Sequence, residues 1–266
     1  MMSRMPTYFI SHGGGPWPWV PDMRKAFEAL EESFIRLPRE LPERPKAVLM
    51  ISGHWEEDDA FTVMHSAAPP MMYDYFNFPP HTYEVTYPAP GAPALAERIA
   101  DLIETAGLPT RLDDERGFDH GTFVPMAILW PKADMPLVQV SMRANYSPEE
   151  HLELGRALAP LRDEGVLIIG SGLSYHNLSD FGPGARVPSE AFDRWLNDAL
   201  ALPSIDRTAE VLNWEGAPHA RQCHAREDHL VPLFSALGAA EGDIAIRTYH
   251  ETMIRGGVTA SSWRFG

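Results

Sequence analysis

The chain is short of several things, and each shortage narrows what it can be. One cysteine among 266 residues, Cys223, excludes an internal disulfide and fits a reducing, cytoplasmic setting. It suits a small packed thiol, and its place beside His224 leaves it a weak ligand candidate. Basic residues are scarce: 22 Lys and Arg stand against 37 Asp and Glu, a formal charge of -15, with no basic block. Nucleic acid and anionic membrane both demand basic patches, so neither is expected as a partner. No apolar run approaches the roughly 18 to 20 residues that span a bilayer. The first twenty residues hold only short apolar stretches broken by Ser11, His12 and three glycines, so no signal-peptide core is expected.

Familiar catalytic motifs are missing too. "SHGGGPW" is like the oxyanion loop of lipases and esterases, but no Gly-x-Ser-x-Gly elbow accompanies it, and Ser52 and Ser171 lack glycines two positions to either side. "GSGLSY" places Tyr175 where a dinucleotide fingerprint needs its last glycine, and there is no P-loop. A small-molecule substrate is the default that remains.

What is present is an alternation of buried-strand runs and amphipathic helices. "TYFIS" (7–11), "KAVLMIS" (46–52), "PLVQVSM" (136–142) and "GVLIIGSG" (165–172) are continuous apolar runs of the parallel-strand type. Helices are predicted over 21–37, 92–108, 147–161, 189–202 and 228–240. Ser147, Pro148 and Glu150 mark one helix start as a capping box. The expected fold is α/β, one domain over residues 1–266, with a mostly parallel central sheet flanked by helices and an active site at the carboxyl ends of its strands. Residues 66–93 are rich in proline and aromatics without helical period, and read as an ordered loop walling that site.

Three histidines sit just past strand runs: His12, His54 and His176. Strand ends of a parallel sheet open into one crevice, so these distant residues converge there. Imidazole is a common ligand for zinc, iron, copper and nickel, and three imidazoles gathered on rigid elements point to a metal site. His229, at the border of the apolar stripe Leu230, Leu233, Phe234 and Leu237, joins them as a ligand candidate. His224, five residues earlier, would be turned about 140° away on a continuous helix, and is assigned either to a place behind the metal ligands or to substrate contact. His120 opens a helical stretch that Asp119 or Thr122 would cap, and reads equally as a catalytic or a structural histidine.

These segments, taken in order, resemble a known family. "SHGGGP", "SGHW", "YDYFNFPPHTYEVTYPAPG", "RGFDHGTFVPM", "IIGSGLSYHNL" and "EDHLVPLFSALGAA" are together similar to the class III extradiol ring-cleavage dioxygenases, in the DOPA-type branch related to the catalytic subunit of protocatechuate 4,5-dioxygenase. The resemblance implies His12 and His54 as metal ligands, with His229 where the protocatechuate branch has glutamate. It implies His176 as acid/base and, in some members, a fourth ligand, and His120 as a second active-site histidine. Fe(II) or Zn(II) is the implied cofactor, since loss of the carboxylate ligand departs from the usual two-His, one-carboxylate iron set. A small aromatic diol and O2 are the implied partners, with self-association left open. Tyr73, Tyr75, Phe76 and Phe78 would wall the flat ring. The competing chemistry is a zinc hydrolase on the same histidines, with Glu56 or Glu57 as its base.

Overall fold

The computed structural model describes residues 3–266. Its strands are β1 (Thr7–Ser11), β2 (Ala47–Glu57), β3 (Phe61–Met64), β4 (Thr110–Asp113), β5 (Leu137–Arg143), β6 (Val166–Gly172), β7 (Ala245–Ile254) and β8 (Val258–Phe265). They form one sheet in the order β4-β3-β5-β2-β6-β1-β8-β7. The four apolar runs expected to be core strands lie side by side as β5, β2, β6 and β1, all parallel, so their carboxyl ends share one edge. At one flank β8 runs antiparallel to β1 and forms a hairpin with β7. At the other, β3 meets β5 antiparallel and pairs with β4 in parallel.

Helices cover both faces, and β6 shows how. Successive strand residues point to opposite sides. Gly170 abuts the backbone of Pro232, where helix Pro232–Gly238 begins, while Ser171 Oγ donates to the carbonyl of Gly121 in helix His120–Leu129. A Cβ at Gly170 would sit 2.2 Å from the Pro232 carbonyl oxygen, and one at Gly172 would sit 2.0 Å from that of His229. The glycines of "GSG" therefore let a crossing segment lie directly on the strand end. The helix cap foreseen at Ser147 forms, its hydroxyl accepting from Glu150 N at 3.2 Å.

Three local expectations are corrected. Residues 21–37 form two helices, Pro21–Ala26 and Glu28–Glu40, broken where Phe27 leaves helical geometry. β2 does not stop at Ser52: it continues through His54 to Glu57, with five steps from Ile51 to Glu56 set against two from Val140 to Met142 on β5. Such a bulge re-aims side chains beside a site. The last helix begins at Pro232 rather than at residue 228, because proline takes the first helical position, so His229 lies in the preceding turn.

Candidate metal centre

His12 follows β1, and its amide donates to the Gly172 carbonyl at 2.9 Å, tying the ends of β1 and β6 together. His54 stands in the bulge of β2. His229 is brought in by its turn, its carbonyl accepting from Leu173 N at 3.0 Å. The three side chains meet Nε2 to Nε2, at 3.2 Å between His12 and His54 and 3.1 Å between His54 and His229. Two nitrogens bound to one ion at about 2.0–2.1 Å would be about 2.9–3.4 Å apart for right-angled to tetrahedral geometry.

The tautomers follow from what lies behind each ring. Ser171 Oγ spends its hydrogen on the Gly121 carbonyl, so toward His12 Nδ1, 2.9 Å away, it accepts. Asp228 Oδ2 accepts from His229 Nδ1 at 2.9 Å, and Asp74 Oδ2 faces His54 Nδ1 at 3.3 Å. Each Nδ1 thus carries the hydrogen, and each Nε2 presents a lone pair to the other two. Protonation does not relieve this convergence. Burial, then the charges of His229 and His120, push His12 well below the ordinary histidine range; burial, then His120 and His229, do the same to His54. Burial and His176 bring His229 down to about 4 against the pull of Asp228. Three neutral donors aimed at one point fit a cation.

His120 and His176 flank this group from the same two carboxylates. Asp74 Oδ1 accepts from both the backbone amide (3.0 Å) and Nδ1 (2.8 Å) of His120, whose ring centroid is 3.9 Å from that of His54. Asp228 Oδ1 faces His176 Nδ1 at 3.3 Å, and His176 stacks on His229 with centroids 3.4 Å apart. Each carboxylate so orients one member of the triad and one neighbouring histidine. Burial raises Asp228, but the hydrogen bonds of His176 and His229 overcome it and hold the carboxyl well below its usual range; His120 overcomes burial at Asp74 in the same way.

Beneath His54 lies a further buried carboxylate, Asp119, which caps helix His120–Leu129 through Thr122 N at 3.1 Å. It also accepts from Ser52 Oγ at 2.8 Å, Gln139 Nε2 at 2.7 Å and Arg116 at 2.8 Å. Arg116 in turn holds the His54 carbonyl at 3.1 Å.

The histidines form the floor of a cavity of about 530 Å³, walled by Gly13–Gly15, Met23, Phe27, Tyr75, Phe76, Phe78, Leu173, Leu178 and Phe181. Gly13 has φ +83°, and a Cβ there would strike the Trp17 indole nitrogen at 2.5 Å; that indole donates to the His12 carbonyl. Residues 66–93 supply Asp74, Tyr75, Phe76 and Phe78, and are held by hydroxyl bonds from Tyr73 to Val85 O (2.7 Å), Tyr75 to Thr82 O (2.6 Å) and Tyr87 to Trp130 O (3.0 Å).

Several expected contacts are absent from the cavity. Tyr73 turns its ring onto Phe123, Tyr75 and Tyr83 and does not line it. His224 is wholly buried against Phe192 and Trp214, with Nε2 3.1 Å from Ser174 O, and burial drives it down to about 3. Cys223 is buried with its thiol on Pro188 O, and burial pushes it up to about 12. Glu56 and Glu57 face Arg226 and Arg111 and are not among the lining residues, so neither is placed to serve as the base of a zinc hydrolase. His176 groups with Asp228 and His229, and not with the converging Nε2 atoms. Asp74 and Asp228 were the important omissions. Asp74 could have been noticed as the one charge inside "YDYFNF"; Asp228 falls within the helix expected over 228–240 and lies instead in the turn that precedes Pro232.

Fold and site together define an aromatic ring-opening dioxygenase: residues 6–266 match the family model described as the catalytic LigB subunit of aromatic ring-opening dioxygenase. The chain belongs to that family, and is a metal-dependent extradiol ring-opening enzyme. It is 37% identical to "4,5-DOPA dioxygenase extradiol" of Beta vulgaris, over 97% of this chain and 96% of that one. It is 32% identical to the protein of the same name from Escherichia coli K12, over 99% and 96%. The crystal structure of uncharacterized protein JW3007 from Escherichia coli K12 superposes with a TM-score of 0.79 at 28% identity, covering 99% of this chain and all of that one.

Proposed function

We propose that the protein opens a catechol ring beside its diol, with O2 as co-substrate, at an Fe(II) ion held by His12, His54 and His229. The observation carrying this reading is the convergence of three Nε2 lone pairs whose Nδ1 atoms are all committed elsewhere. An iron ion there would acidify the diol and bring ring and oxygen together. It would meet no anionic ligand, but Asp228 stands one hydrogen bond behind His229 and Asp74 one behind His54, so two carboxylates offset its charge.

The remaining chemistry belongs to the two flanking histidines. With Nδ1 held by Asp228, His176 has Nε2 free to take a proton from a diol hydroxyl and to return it as the ring opens, and the carboxylate stabilises the imidazolium in between. His120, whose Nδ1 hydrogen is held by Asp74, donates from Nε2 as an imidazolium, which that carboxylate stabilises, and in this form offsets negative charge growing on the reacting oxygen atoms. Tyr75, Phe78, Phe27 and Phe181 offer apolar faces for the ring and keep water out. The names of the relatives suggest that the ring carries an amino-acid tail, and the cavity, within the roughly 300–1,000 Å³ of small-molecule sites, has room for one.

The test is oxygen uptake by protein loaded anaerobically with Fe(II). One O2 consumed per catechol, with a yellow product and no action on esters, peptides or phosphoesters, is expected. Hydrolysis by the zinc form without oxygen uptake by the iron form would overturn the proposal.

A further inference from the structure

The cavity wall includes a single lysine or arginine, and it comes from an element with no part in the metal centre. Arg255 sits at the tip of the β7–β8 hairpin, exposed, and lines the same cavity as the histidines. Among the described residues its guanidinium has no ion-pair partner, whereas Arg247 of the same hairpin pairs with Asp193.

Its backbone makes the choice of residue costly. Arg255 has φ +48° and Gly256 φ +88°, with Gly257 N bonded to Ile254 O at 3.2 Å, the pattern of a primed two-residue turn. Asparagine, aspartate or glycine suits the first of those central positions; a long side chain there is strained. The tip is also fixed in place. A Cβ on Gly257 would lie 2.6 Å from Gly182 O and 2.8 Å from Pro183 Cα, so the turn is docked on the 182–183 loop beside the cavity mouth. A chain of charge -15 keeps an unpaired arginine in a strained, docked turn facing a cavity whose other fixed charges, Asp22 and Asp74, are negative.

We propose that Arg255 is a specificity residue that binds a carboxylate on the substrate's tail. The inference rests on the ring-opening reading above and adds to it the recognition of an anionic tail in the same cavity. A guanidinium matches a carboxylate in geometry as well as charge, through two parallel N–H donors.

The experiment compares 3,4-dihydroxyphenylpropionate with 4-propylcatechol, which has the tail without the charge, on the iron enzyme and on Arg255→Asn and Arg255→Lys. Arg255→Asn should raise KM for the carboxylate roughly 10- to 100-fold with kcat little changed, the loss expected for one charge-assisted hydrogen-bonded contact. Its kcat/KM for 4-propylcatechol should not move, and its Tm should equal or exceed that of the parent, since asparagine relieves the turn. Arg255→Lys should recover part of the discrimination. Equal losses on both substrates, or no change on either, would overturn the assignment, as would a fall in Tm that carries both activities down together. If no catechol is oxidised at all, the ring-opening reading fails. Calorimetric affinities for the same two compounds without oxygen then still decide Arg255: a preference for the carboxylate that Asn removes upholds it, and equal affinities refute it.

Discussion

Replacing Asp228 by asparagine probes the feature on which the site turns, one carboxylate serving two histidines. Asp228 accepts from His229 Nδ1 at 2.9 Å through one oxygen and faces His176 Nδ1 at 3.3 Å through the other. An asparagine keeps a single acceptor oxygen, so an amide NH2 must face one ring's N–H. That ring either turns away or changes tautomer, which withdraws an Nε2 lone pair from the metal or from the proton it should receive. A hydrogen bond to a charged group contributes about 1.5–3 kcal/mol, and outer partners of metal-bound histidines shift affinity or activity by about 10- to 100-fold. Metal affinity, read by competition with a chromophoric chelator, should therefore weaken about 10- to 100-fold if His229 loses its partner. If His176 loses it, affinity should hold while turnover falls by a similar factor. Asp228→Asn with both quantities at parental values would refute the reasoning.

Other outcomes follow from the same geometry. His12→Ala or His54→Ala should abolish metal retention, and full occupancy by elemental analysis in either variant would count against the triad. His176→Gln should keep the metal and catechol binding yet lower turnover by about 100-fold or more; loss of metal instead would make His176 a ligand, and parental turnover would remove it from the chemistry. Acid stability should depend on His151, buried at 0% exposure, whose Nδ1 donates to Ser147 O at 2.7 Å while Nε2 accepts from Arg143 N at 3.1 Å. Burial brings it down to about 4, below an unfolded value near 6.5, so its contribution is whole above about pH 6.5 and is lost as pH falls toward 4, a loss of about 3 kcal/mol. Denaturant unfolding of His151→Gln between those pH values should show a shallower decline than the parent, and an identical decline would contradict the assignment.

The sheet's centre was legible because β1, β2, β5 and β6 are buried on both faces and leave unbroken apolar runs. The β7–β8 hairpin was not, since β7 mixes Arg247, His250 and Glu251 with its apolar residues and only one face packs inward. Convergence of His12 and His54 was readable from strand ends. Recruitment of His229 depends on Gly172 and Pro232, two residues whose meaning is steric and appears only when the crossing segment is in place. The carboxylates were harder still: Asp74 reaches His120 across 46 positions and Asp228 reaches His176 across 52, and no local period records such contacts.

The ring-opening claim is tested most directly by following isotopically labelled dioxygen through a single turnover of the Fe(II)-loaded protein with 3,4-dihydroxyphenylpropionate. Mass spectrometry of the yellow product should find both atoms of one labelled O2 molecule in the opened chain. A catechol left intact, or a product whose new oxygen comes only from water, would contradict it.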